Sequence, residues 1–170
     1  MMTNPDAAPE VPPAADHERH MRLALRPAEA AAAEGEVPVG AVIVRAGRLL
    51  GKAHNQVEQL KDPTAHAEIL AITQAASALG DWRLEGTVLY VTKEPCVMCA
   101  GAIVLARIPL VVWGLTDPLR GGAVSLFQVF QQGDLNHRVA HVAGVLEAEC
   151  GAVLKDFFKA RRASAAADLP

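Results

Sequence analysis

Residues 63–107 constrain this chain more than any other stretch. His66-Ala67-Glu68 is followed, after room for one helix and one strand, by Pro95-Cys96-Val97-Met98-Cys99. Residues 67–79 are alanine-rich and place Ile69, Leu70, Ile72, Ala76 and Leu79 on a helical pattern, with Asp62-Pro63-Thr64 in front as a start signal. His66 and Glu68 therefore fall in or near a first turn. Inside a helix, positions i and i+2 diverge; at a helix end both side chains can reach a site beyond the tip. Pro95 is placed to open a second helix over 96–107, and Cys96 and Cys99, three apart, share one face of it. Two helix N-termini are thus expected to aim at one point, where their dipoles favour thiolates and other anions.

One imidazole, two thiols and one free carboxylate are the parts of a hydrolytic zinc site. A closed structural site uses four protein ligands, and this motif supplies three: His66, Cys96 and Cys99. The fourth position is left for water, which bound zinc acidifies toward neutrality. Expelling an amine also needs a proton carrier, and Glu68 is the candidate. A thioredoxin-like redox pair would leave His66-Ala67-Glu68 unexplained. A structural zinc site would want another ligand nearby, and two inert buried cysteines would make the joint pattern an accident.

His-Ala-Glu followed by Pro-Cys-Val-Met-Cys resembles the cytidine/deoxycytidylate deaminase superfamily. The segments EVPVGAVIV, DPTAHAEILAI, LYVTKEPCVMCAGAIVLARI and NHRV, in that order, are similar to the bacterial tRNA-specific adenosine deaminases across residues 16–162. The resemblance implies a three-layer α-β-α, cytidine-deaminase-like fold. It also implies one Zn2+ per subunit, a homodimer, a cytoplasmic location and action on the wobble adenosine of a tRNA anticodon stem-loop. By the same resemblance Asn55 orients the target base and Val39 walls its pocket; read alone, Asn55 is a turn residue and Val39 a core valine. A deaminase of free guanine or of a cytidine-type substrate shares the zinc motif. It would have no need of Phe158 with Arg161 and Arg162. A catalytically dead RNA-binding subunit would not need Glu68.

The 170 residues suggest one domain, and 51% hydrophobic with 21% charged residues is enough for a packed core. No apolar run is long enough to cross a membrane. Three cysteines, two of them assigned to zinc, point to a reducing compartment and no disulfide framework. A net charge of −3 does not suggest a nucleic-acid binder, so an RNA partner needs a local basic face.

Residues 1–15, rich in alanine and proline, read as a disordered tail; 16–162 as the deaminase domain; 163–170 as a C-terminal tail. The domain is α/β with a mixed five-stranded sheet and helices on both faces. Its expected elements are a helix over 16–34 capped by Asp16 and kinked or split at Pro27, a hairpin of 37–45 with 48–54, and strands 87–92, 110–113 and 139–146. A last helix spans 147–162, with Cys150 as an inert core thiol, and a short helix is open for 125–130. The stem of Lys93, where the resembled family more often has an apolar residue, is expected to pack with its amine in solvent. Asp117 is a turn residue or, by resemblance, a substrate contact. Phe158 and Arg162, in a basic cluster with Lys155, Lys159 and Arg161, suit an unstacked base and phosphates. His137 lacks a partner at ligand spacing and reads as a supporting residue.

Overall fold

The computed structural model describes residues 13–167. In chain order the elements are α1 (Ala14–Ala33), β1 (Gly40–Arg45), β2 (Arg48–His54), a single turn α2 (Val57–Leu60), α3 (Ala67–Leu79), β3 (Val88–Lys93), α4 (Val97–Leu105), β4 (Leu110–Leu115), a 3₁₀ turn (Val129–Gln131), β5 (Ala140–Val142) and α5 (Glu147–Ala167). The sheet order is β2-β1-β3-β4-β5. β1 runs antiparallel to β2 and β3, while β4 is parallel to both β3 and β5. This is the mixed five-stranded α/β arrangement expected from the sequence.

Strand alternation divides the interior in two. Ala41 and Ile43, Leu89 and Val91, and Val111 and Trp113 face one core, which α3 and α4 close with Ala67, Ala71, Ala75, Ala100 and Ile103. Val42, Val44, Tyr90, Leu110 and Val112 face the other, closed by Met21, Ala24 and Leu25 of α1 and Cys150 of α5. Period-2 side chains on strands that are apolar throughout require cover on both faces, and so produce three layers. Both helices that begin at the site, α3 and α4, lie on the same face.

Several elements differ from the expectation. α1 is one helix through Pro27, not two segments, and it begins after Pro13 with Asp16 inside its first turn beside Arg19. The Pro27 ring is buried and lies against Gly40; a Cβ on Gly40 would come within 3.0 Å of Pro27 Cγ and would strike the α1 backbone. Tertiary contact on this face offsets the hydrogen bond that proline removes. β1 starts at Gly40 because Pro38 has no N–H for a ladder and Val39 N–H instead bonds Val37 O at 2.8 Å. β5 stops at Val142, ahead of Gly144 (φ 81°) and Leu146 (φ 53°), both left-handed and unable to continue a strand. Residues 125–128 are turn, bend and irregular backbone, not a helix, with only Val129–Gln131 in 3₁₀ form. α5 extends to Ala167, past the tail expected from residue 163, because Ala163 and residues 165–167 are strong helix formers even when exposed. The remainder of both expected tails, residues 1–12 and 168–170, lies outside the described residues.

Candidate active site

His66 and Cys96 hold equivalent places: each is the extended residue just ahead of a helix, His66 before α3 and Cys96 before α4. Pro95 therefore precedes the cap and is not the first helical residue. Cys99 is in the first turn of α4. His66 Nδ1 lies 3.5 Å from Cys96 Sγ and 3.5 Å from Cys99 Sγ. Ligand distances of about 2.05 and 2.3 Å at a tetrahedral angle place nitrogen and sulfur about 3.6 Å apart around zinc. All three ligand atoms lie within 4.8 Å of one another. The spacing thus fits a tetrahedral metal with three protein ligands. The electrostatics agree: Cys96 is pulled down to about 4 by its hydrogen bond with Cys99, against its own burial, with His66 adding to the pull. The thiol of Cys99, as partner to that thiolate and itself buried, is pushed up.

A cavity of about 530 Å³ opens over this trio, within the range that holds small ligands. Val39, Asn55, His66, Glu68, Cys96, Asp117 and Phe158 line it, so most of the candidates chosen from sequence converge on one space. Cys99 lies beneath, fully buried. Glu68 is 3% exposed, and its Oε2 has no hydrogen-bond partner. Burial pushes its carboxyl above the usual range, offset in part by a backbone hydrogen bond and by His66. A buried, unpartnered carboxylate oxygen in a cavity beside two thiols is costly unless a ligand meets it, and it too fits a site built for a metal and a polar guest. Asn55 accepts a hydrogen bond from Ala67 N–H through Oδ1 at 2.9 Å. That bond ties the end of β2 to the first turn of α3 and leaves the amide N–H groups to donate into the cavity.

Arg162 is exposed and is not among the lining residues; Arg161 lines the cavity instead. Leu154, Phe158 and Arg161 make one stripe of α5, and Arg162 is turned about 100° from Arg161. Lys93 also differs from expectation. Its amine is not free in solvent but pairs with Asp117 Oδ2. The other oxygen of Asp117 accepts from Leu119 N–H at 3.1 Å and Arg120 N–H at 3.2 Å. Burial opposes the charge on Asp117, but Lys93 and these two amides outweigh it and hold the carboxyl below its usual range.

Glu94 was not singled out by sequence reasoning. It is 2% exposed, and its carboxylate takes Val124 N–H and Ser125 N–H on Oε1, both at 3.0 Å. Oε2 takes Asp117 N–H at 3.0 Å and Ser125 Oγ–H at 2.5 Å. One side chain thereby pins both ends of the loop 116–125 to the strand end that leads into Cys96. Its only sequence signal was an acid directly before Pro95, beside a loop rich in glycine. Gly122 completes the seam: its N–H bonds Pro95 O at 2.7 Å, and any Cβ there would strike the Cys96 backbone. His137 bonds Ile108 O through Nε2 at 2.9 Å and is not part of the group that could hold a metal. Cys150 is a core thiol, pushed up to about 12 by burial.

Residues 15–162 match a family model described as MafB19-like deaminase. The chain is 48% identical over 145 residues to the tRNA-specific adenosine deaminase of Bacillus subtilis, covering 85% of this chain and 90% of that protein. It is 50% identical over 145 residues to the enzyme of the same name from Aquifex aeolicus, covering 85% and 95%. A structure from work on A-to-I editing by tRNA:A34 deaminases at the wobble position superposes with a TM-score of 0.78 at 43% identity, covering 80% of this chain and 99% of that one. Guanine deaminase from Bacillus subtilis superposes less fully, with a TM-score of 0.56 at 39% identity over 59% of this chain and 64% of that one.

Proposed function

We infer the activity from one premise: the chain belongs to the MafB19-like deaminase family and, within it, to the tRNA-specific adenosine deaminases. It is a hydrolase that converts adenosine to inosine at the wobble position of a tRNA anticodon loop. The observation that carries this reading is the cavity in which His66, Cys96, Glu68 and Asn55 meet, with Cys99 beneath. Zinc, one ion per subunit, suits the two-sulfur, one-nitrogen set and, when bound, supplies an acidified water as nucleophile. His66, Cys96 and Cys99 hold it. Glu68 takes the proton of the attacking water and passes it to the adjacent ring nitrogen. It then takes the second proton from the hydroxyl added to the ring carbon and delivers it to the amine, which leaves as ammonia as the C–N bond breaks and the carbonyl forms. Burial with one carboxylate oxygen free of any partner suits it to both roles, because that oxygen is open to take and to give a proton.

Asn55 donates to the base, since its oxygen is committed to Ala67 N–H. Val39 packs against the ring. Phe158 at the rim is 41% exposed and offers a face on which a splayed neighbouring base can stack. Asp117, Arg161 and Arg162 flank the path of the strand. An anticodon loop suits such a pocket, because its bases can be extruded with little unpairing.

The enzyme acts in the cytoplasm, where tRNA is processed; among the described residues no helix is long and apolar enough to cross a membrane. A homodimer accounts for the exposed apolar side chains Val97 and Leu105 of α4 and Leu126 and Phe127 of the loop after β4, of which Leu105 is 71% exposed. The deciding experiment measures inosine formed in a synthetic anticodon stem-loop against deamination of free guanine and free cytidine. The stem-loop is expected to exceed both in kcat/KM by at least about a hundredfold. Equal or faster turnover of a free base refutes the reading.

A further inference from the structure

The cavity that must receive a polyanion is lined by more acids than bases. Glu36, Glu58, Glu68, Glu94 and Asp117 stand against Lys93, Arg120 and Arg161. Three of the acids meet donors inside the protein: Glu94 three N–H groups and a hydroxyl, Asp117 two N–H groups and Lys93, and Glu36 the N–H of Gln59. Lys93 is different. An ammonium carries three donors, and the one hydrogen bond described for Lys93 goes to Asp117. Its side chain is 26% exposed against 11% for Asp117, so the cation is the more open member of the pair, and it lines the cavity. The carboxylate fixes the stem in place, and the spare donors are left to meet a guest.

We propose that Lys93 is a substrate-binding residue whose ammonium, held by Asp117, contacts a backbone phosphate next to the target nucleotide and so favours a nucleotide chain over a free base or nucleoside. This rests on the function inferred above. The lysine sits at the end of β3, three residues before Cys96, where a rigid strand sets its distance from the metal ligands. Pairing to Asp117 also lowers the cost of ordering a long flexible side chain when substrate arrives.

The test compares the parent enzyme with K93M and K93R on an anticodon stem-loop, and repeats the parent assay on stem-loops carrying a neutral methylphosphonate at the linkage before or after the target adenosine. K93M is expected to raise KM about tenfold, the loss of one charge-assisted contact, with a much smaller change in kcat, and to lower the slope of log KM against log salt by about 0.7. K93R is expected to restore most of the affinity. One methylphosphonate position is expected to reproduce the K93M effect in the parent and to be no worse in K93M. The parent arm needs no variant, so a K93M protein that fails to fold leaves the test intact. A parent enzyme indifferent to charge at both linkages overturns the proposal, as does a K93M defect of equal size on neutral and natural linkages. A parent enzyme that forms no inosine in any stem-loop overturns the inferred function instead.

Discussion

Replacing Glu94 by glutamine tests whether the loop 116–125 is held by charge and geometry together. The carboxylate satisfies four donors, two on each oxygen. Glutamine keeps the shape but has one oxygen, so it can retain one pair. Its NH2 can still donate to Ser125 Oγ, but it then faces Asp117 N–H, donor against donor. One buried N–H left unmet costs about 1–3 kcal/mol, and losing the charge on the retained bonds costs about 1 kcal/mol more. The sum is about 3 kcal/mol. For a chain of this length each kcal/mol moves Tm by about 2–4 °C, so calorimetry of the zinc-loaded protein should show a fall of about 6–12 °C. Because Asp117 carries Lys93 and the turn at Leu119 and Arg120, KM for the stem-loop should rise as well, while zinc content stays near one per chain. A Tm within about 2 °C of the parent and an unchanged KM would refute the reasoning, because the four hydrogen bonds would then contribute nothing measurable.

Other expectations follow from the same structure. Burial depresses both His17 and His20; His20 adds to the fall at His17 and Arg19 to the fall at His20, while Asp16 opposes both. The unfolded chain therefore binds more protons than the fold as pH falls below about 6.5, and stability, full above that pH, should decline beneath it until the folded values are passed. Glu94 and Asp117, held below their usual values, add a second loss below about pH 4.5. His20→Phe, which removes the unpartnered Nδ1 beside Tyr90, should flatten the first decline in urea titrations at pH 5 to 7; an unaltered slope would exclude His20 as its source. Glu68→Ala should retain zinc by metal analysis and lose about 10²–10⁴ in kcat, and turnover near the parent level would remove the carboxylate from the mechanism. Cys96→Ser should lower zinc content well below one per chain, and full occupancy would overturn the ligand set. The homodimer proposed above predicts that Leu105→Glu shifts sedimentation from dimer toward monomer without loss of helix by circular dichroism; unchanged sedimentation would exclude that face.

The group that could hold a metal was legible because its chemistry permits few substitutes. An imidazole and two thiols at a helix start and one turn into another have little other use, and the resemblance to known deaminases added Asn55 and Val39. Strand identity was legible from apolar runs, but strand ends were not. β5 is cut short by left-handed backbone at Gly144 and Leu146, and β1 is delayed by Pro38; a hydrophobicity pattern records neither. Pro27 reads locally as a helix breaker, yet α1 passes through it because its ring packs on Gly40.

From sequence alone came the chemistry: the donor set, the carboxylate beside it, and a layered α/β fold demanded by strands apolar on both faces. Only the tertiary structure decided the walls. Glu94 and Lys93, adjacent on one strand end, reach a loop more than twenty residues later, and Arg161 rather than Arg162 turns into the cavity. Ligand identity is a property of side-chain type, which the chain states directly. Contacts between distant segments depend on register and helix phase, which are set when the two cores pack and cannot be read one residue at a time.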